Sequence, residues 1–63
     1  MYRIEWWTNN NEYHNQRTYT TKKMFRRYLL EYSSGNGDYY RLKIYQVVNG
    51  EWQQLNHKNG III

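Results

Sequence analysis

Asn49-Gly50 limits the possible folds of this chain more than any other pair of residues in it. A two-residue loop that reverses a β-strand needs positive φ at both positions, and Asn-Gly meets that need at little steric cost. Residues 39–48, rich in aromatic and β-branched side chains, precede the pair, and residues 51 to about 57 follow it. A hairpin is therefore expected, with its register set by the turn. Counting outward pairs Val48 with Glu51, Val47 with Trp52, Tyr45 with Gln54 and Ile44 with Leu55. Tyr40, Leu42, Ile44, Gln46 and Val48 then share an inward face, which Leu55 joins. Tyr39, Arg41, Lys43, Tyr45 and Val47 share the outward face with Trp52. A bulged turn is the competing account: it shifts the register by one residue and swings Trp52 into the core.

The start of the chain carries a second strand pattern. Tyr2, Ile4 and Trp6 alternate with Arg3 and Glu5, the period of a half-buried strand with those three apolar residues pointing inward. Asn9-Asn10-Asn11 suits a tight turn, and residues 12–19 are polar apart from Tyr13 and Tyr19, so they read as an edge strand or a loop. Thr20 or Thr21 then caps a helix over residues 22–33. At 100° per residue, Met24, Phe25, Tyr28, Leu29 and Tyr32 fall on one arc and Lys22, Lys23, Arg26 and Arg27 on the opposite one, which is strongly amphipathic. Ser33 to Asp38, with Gly35 and Gly37, supplies a C-cap and a turn. Asn59-Gly60 repeats the hairpin signal before Ile61-Ile62-Ile63; three exposed isoleucines invite aggregation, so they are expected to be paired or covered.

These elements assemble into one small α+β domain over residues 1–63: an antiparallel sheet of about four strands in the order β-β-α-β-β, with one amphipathic helix on one face. At 63 residues without cysteine, the core is thin and has neither disulfides nor thiolate metal clusters to staple it. No apolar run is long enough to span a bilayer and the N-terminus lacks a signal-peptide layout, so a cytoplasmic protein without a membrane partner is expected. Alanine and proline are missing while tyrosine and asparagine abound. The first pair needs G/C-rich codons and the second A/T-rich ones, which suggests an AT-rich bacterial genome or one of its phages.

Catalysis requires converging titratable groups, and the histidines, His14 and His57, stand apart from each other in the sequence with no recognised spacing to the five acids. A metal site would have to join both histidines to a carboxylate such as Glu12, which nothing demands. Gly35-Asn36-Gly37 follows a helix, whereas phosphate loops precede one. No enzyme activity, cofactor or metal is expected.

Two surfaces remain as partner-binding candidates, favoured by a net charge of +4 that suits an anionic partner. Lys22, Lys23, Arg26 and Arg27 form a basic helix face with Leu30 among them, either a contact anchor ringed by charge or a solvated surface with one exposed leucine. Arg41, Lys43, Tyr45, Val47 and Trp52 interleave aromatic, apolar and basic groups on the outward sheet face, which suits protein contact, base stacking or simple cross-strand stabilisation. The first functional reading is a non-enzymatic phage or mobile-element accessory protein that inhibits or regulates a host protein or ribonucleoprotein, such as a CRISPR-type nuclease or a polymerase, by stoichiometric docking. The alternative is a small basic nucleic-acid-binding protein. An edge strand also offers a route to a homodimer.

Overall fold

The computed structural model describes residues 1–8, 13–35 and 37–63; the expected turn at Asn9-Asn10-Asn11 and the middle of the Gly35-Asn36-Gly37 run lie outside them. Among the described residues, six strands and one helix follow in order: β1 (Tyr2–Trp7), β2 (His14–Tyr19), α1 (Lys22–Ser33), β3 (Tyr40–Val48), β4 (Glu51–Leu55), β5 (His57–Lys58) and β6 (Ile61–Ile62). The first four strands form one sheet in the order β2-β1-β3-β4, and the last two form a separate hairpin. Every pairing is antiparallel. Strands β2 and β3 thus run parallel to each other on either side of β1, and α1 connects them across one face.

The Asn49-Gly50 hairpin has the register counted from its turn: Val48 opposes Glu51, Val47 opposes Trp52, Tyr45 opposes Gln54 and Ile44 opposes Leu55. Both turn residues have positive φ, 53° and 80°, so the bulged alternative does not form. Residues 14–19 are a true edge strand whose polar side chains face solvent while Tyr19 is buried. Only the last residue of this strand is buried beneath the helix; Arg17 stays exposed and reaches α1 from the rim, with its guanidinium 5.3 Å from the Tyr28 ring.

The helix forms where its amphipathic period and its cap agree. Thr21 is extended and its hydroxyl accepts a hydrogen bond from the Met24 N–H at 3.3 Å, satisfying a donor that the first turn would otherwise leave free. Phe25, Leu29 and Tyr32 are buried against Ile4, Tyr19 and Ile44, with Tyr2, Trp6, Leu42 and Leu55 packed around them. Aromatic rings supply most of this thin core: Tyr2 stacks on Phe25 at 4.8 Å and Tyr32 on Tyr39 at 4.1 Å. Large rings bury much area per residue, which suits a chain this short and without alanine.

Two expectations about facing need correction. Met24 was placed on the inward arc, yet it is 46% exposed; at 100° per residue it lies about 105° from the midpoint of Phe25, Leu29 and Tyr32, beyond the reach of the sheet. Tyr39 and Tyr40 exchange roles. Between the Glu5–Lys43 and Trp7–Tyr40 pairs, β1 has one residue and β3 has two, and Arg41 within this bulge has φ of 56°. A bulge inverts the alternation beyond it, so Tyr39 stacks on Tyr32 and edges onto Trp6 while Tyr40 is 48% exposed. The terminal isoleucines, expected to be paired or covered, are paired. The Ile63 N–H donates to the Asn56 carbonyl and Ile62 packs on the core, whereas Ile61 and Ile63 are 60% and 80% exposed.

The β5–β6 hairpin lies against α1 through Gly60. A Cβ there would collide with the Ser33 hydroxyl and sit only 3.1 Å from the Leu30 Cα, and its φ of 83° is itself a conformation that side chains resist. Glycine thereby brings the turn into contact with the helix. No helix among the described residues is long and apolar enough to cross a membrane.

Candidate functional site

The sheet leaves its outer face uncovered, and the expected residues meet there. Arg41, Lys43, Tyr45, Val47 and Trp52 share it with Arg3, Glu5, Trp7 and His14, because cross-strand partners lie on the same side. The latter four were not singled out from the sequence, although the alternation of β1 already placed Arg3 and Glu5 opposite Tyr2, Ile4 and Trp6. Only the antiparallel β1–β3 pairing sets them beside Tyr45 and Lys43.

Glu5, Tyr45 and His14 satisfy one another on this face, and the cations lie against its rings, although the buried Arg3 Nε has no hydrogen-bond partner among the described residues. Glu5 is the hub: its carboxylate accepts the Tyr45 hydroxyl at 2.6 Å and lies 3.2 Å from His14 Nε2. The hydrogen bond to Glu5 raises the Tyr45 hydroxyl above its ordinary pKa, with burial adding to the shift, since a neighbouring carboxylate favours the protonated phenol. The His14 ring stacks on Trp7 at 4.5 Å. The Arg41 and Lys43 cations lie 5.1 and 5.4 Å from the Trp7 ring, and the Arg3 guanidinium sits 4.1 Å over Trp52. Trp52 is therefore outward as counted, 38% exposed, yet one side of its indole is already occupied by a cation. A nucleobase could stack on that side only by displacing Arg3.

The basic helix face lies on the other side of the molecule and is arranged differently. Lys22, Lys23, Arg26 and Arg27 are all exposed, and among the described residues none of them has a carboxylate within ion-pairing distance. Leu30 is 47% exposed and lies in the concavity these four cations surround. Lys22 and Lys23 occupy the first turn, where no acid is present, and the last turn has no base. That order opposes the helix dipole, which favours acids at the N-terminus and bases at the C-terminus by roughly 0.3–1 kcal/mol each. Folding stability alone does not account for this placement.

The histidines do not converge. His14 belongs to the outer sheet face, whereas the half-buried His57 lies 3.4 Å from the Leu42 carbonyl through Nε2 and accepts the Gly60 N–H at Nδ1. This pair of contacts places His57 as a strut between β3 and the terminal turn. Glu12, the acid considered with them, lies outside the described residues, and among those described no three His, Cys, Asp or Glu side chains cluster as metal ligands do.

Comparison with known proteins adds no assignment: no family model, curated protein or solved structure matches the chain.

Proposed function

We propose that this chain is a non-enzymatic binding module that acts by stoichiometric docking on an acidic surface of a partner protein or ribonucleoprotein, using the helix face of Lys22, Lys23, Arg26, Arg27 and Leu30. The observation that carries this reading is the set of four exposed helix cations without carboxylate partners among the described residues, two of them placed against the helix dipole. Cations held at some expense to folding favour anion recognition. Leu30 at their centre supplies the apolar contact that charge alone lacks, and a ring of polar groups around an apolar anchor is the usual anatomy of an interface.

The outer sheet face is a secondary contact surface in this reading, since Glu5, Tyr45, Arg3 and Trp52 are engaged with each other. Inhibition or regulation of a host factor, as a phage or mobile-element protein would exert it, fits a small docking module that works by occupancy in the cytoplasm. Affinity capture from a lysate of the source cell, with and without nuclease and over a salt series, tests the reading. A single protein retained after nuclease treatment, and lost when Lys23, Arg26 and Arg27 are changed to Glu, is expected. Retention of random oligonucleotides alone, weakening steeply with salt, would instead select the nucleic-acid-binding alternative.

A further inference from the structure

The helix cations do not surround Leu30 evenly. On one flank the β5–β6 hairpin rises beside the helix, and between them runs a groove of about 260 Å³ lined by Lys22, Arg26, Leu30, Gly60, Ile61 and Ile62. Its walls differ in chemistry. Leu30, Ile61 and Ile62 supply an apolar lining, with Leu30 47% and Ile61 60% exposed, while the ammonium and guanidinium of Lys22 and Arg26 stand on the helix side. Gly60 permits this shape, because any side chain there would push the hairpin off Leu30 and Ser33.

From this juxtaposition we infer that the groove between α1 and the C-terminal hairpin is the specificity pocket of the docking face, taking one apolar side chain of an acidic peptide segment of the partner protein. The inference rests on the docking function proposed above and adds the chemistry of what is recognised. Size sets the first limit: an apolar cavity of about 150 Å³ accommodates benzene, so 260 Å³ holds one leucine or phenylalanine side chain. Charge sets the second. Carboxylates flanking that side chain would meet Lys22 and Arg26, neither of which has an acid partner among the described residues. A second copy of this chain is a poor occupant, since its own net charge of +4 opposes Lys22 and Arg26. A nucleic-acid strand would use the cations and leave Ile61 and Leu30 without an apolar partner.

The test presents the intact protein to a displayed library of random 12-residue peptides and to a random single-stranded oligonucleotide of equal length. Enriched peptides are expected to carry two or more acids around one aliphatic or aromatic residue. Binding of a synthesised representative should weaken about tenfold or more for Ile61→Ser and for Arg26→Glu, and should weaken likewise when its own apolar residue becomes serine. Both altered side chains are exposed, and far-UV circular dichroism with a thermal melt checks that each variant folds. Peptide binding that ignores Ile61→Ser but is lost in Lys23→Glu/Arg27→Glu overturns the groove and leaves the docking face standing. Failure to enrich any acidic peptide, with oligonucleotide binding abolished by the same charge reversals, overturns the groove and the protein-docking function together.

Discussion

The two broad surfaces of this protein both carry several cations and dispose of their charge in opposite ways. On the outer sheet face, Glu5 gathers Tyr45 and His14, Arg3 covers Trp52, and Arg41 and Lys43 lie near Trp7. On the helix face, Lys22, Lys23, Arg26 and Arg27 point into solvent around a half-exposed leucine. The contrast follows from geometry. Cross-strand neighbours in a sheet lie about 5 Å apart in two directions, so a mixed set of cations, rings and one acid pairs itself. A helix of 12 residues offers only the i+3 and i+4 neighbours, and among these basic residues nearly all such neighbours are basic, apolar or hydroxylic. Self-pairing stabilises a fold, whereas like charge on an exposed helix face is left to solvent.

The layer that separates the two surfaces should be the most sensitive to change. Leu29 is fully buried between helix and sheet, and Leu29→Ala should cost about 2–5 kcal/mol. In so small a domain that removes the cooperative thermal transition, followed by circular dichroism. A variant that melts like the parent would mean that the helix does not lean on the sheet as described.

Next in size comes the outer face. Trp52→Ala removes the ring beneath Arg3 and should destabilise by about 1–2 kcal/mol, less than the loss of a fully buried tryptophan. Binding of the captured partner should change far less than in the helix-face variants. If the variant instead keeps full stability and loses the partner, the roles assigned to the two faces are reversed.

Tyr45→Phe should cost about 1–2 kcal/mol at neutral pH through its hydrogen bond to the Glu5 carboxylate, and it should also alter the alkaline limb of the stability curve. The carboxylate of Glu5 raises the Tyr45 hydroxyl, and burial raises those of Tyr19 and Tyr39. A phenol whose folded-state pKa exceeds the ordinary 10.0 keeps its proton in the folded chain after the unfolded chain has lost it. Its contribution is intact below pH 10.0 and is lost as the pH rises beyond that value. Denaturant titrations between neutral and strongly alkaline pH should therefore show a steeper loss for the parent than for Tyr45→Phe; parallel curves would remove the Glu5–Tyr45 bond from the account.

The smallest stability effect belongs to the helix face, and its sign is the informative part. Lys23→Glu places an acid in the first turn and should stabilise the fold by roughly 0.3–1 kcal/mol while weakening partner binding. A melting temperature that falls instead would show that Lys23 supports the fold.

Much of this was legible in the sequence because the deciding interactions are local. The Asn49-Gly50 turn determined the β3–β4 register, since a two-residue loop admits few geometries, and it correctly put Trp52 outward. Thr21 and the spacing of Phe25, Leu29 and Tyr32 located the helix, because capping and amphipathic period act within one or two turns. The edge position of residues 14–19 was open in the sequence, and the sheet order decided it. Likewise the β3 bulge that exchanges Tyr39 and Tyr40 depends on β1, which lies more than thirty residues away in sequence. Arg3, Glu5, Trp7 and His14 became part of the outer face only when β1 took the centre of the sheet. The groove beside Leu30 could not be read from the helix alone either. It requires Gly60, distant in sequence, to bring its hairpin against Ser33. Amino-acid order by itself determined the elements and which way most side chains point, because backbone dihedrals and periodicity are properties of neighbouring residues; which charges meet a partner inside the molecule and which are left to solvent was decided only by the tertiary structure, because that depends on which elements come to lie side by side.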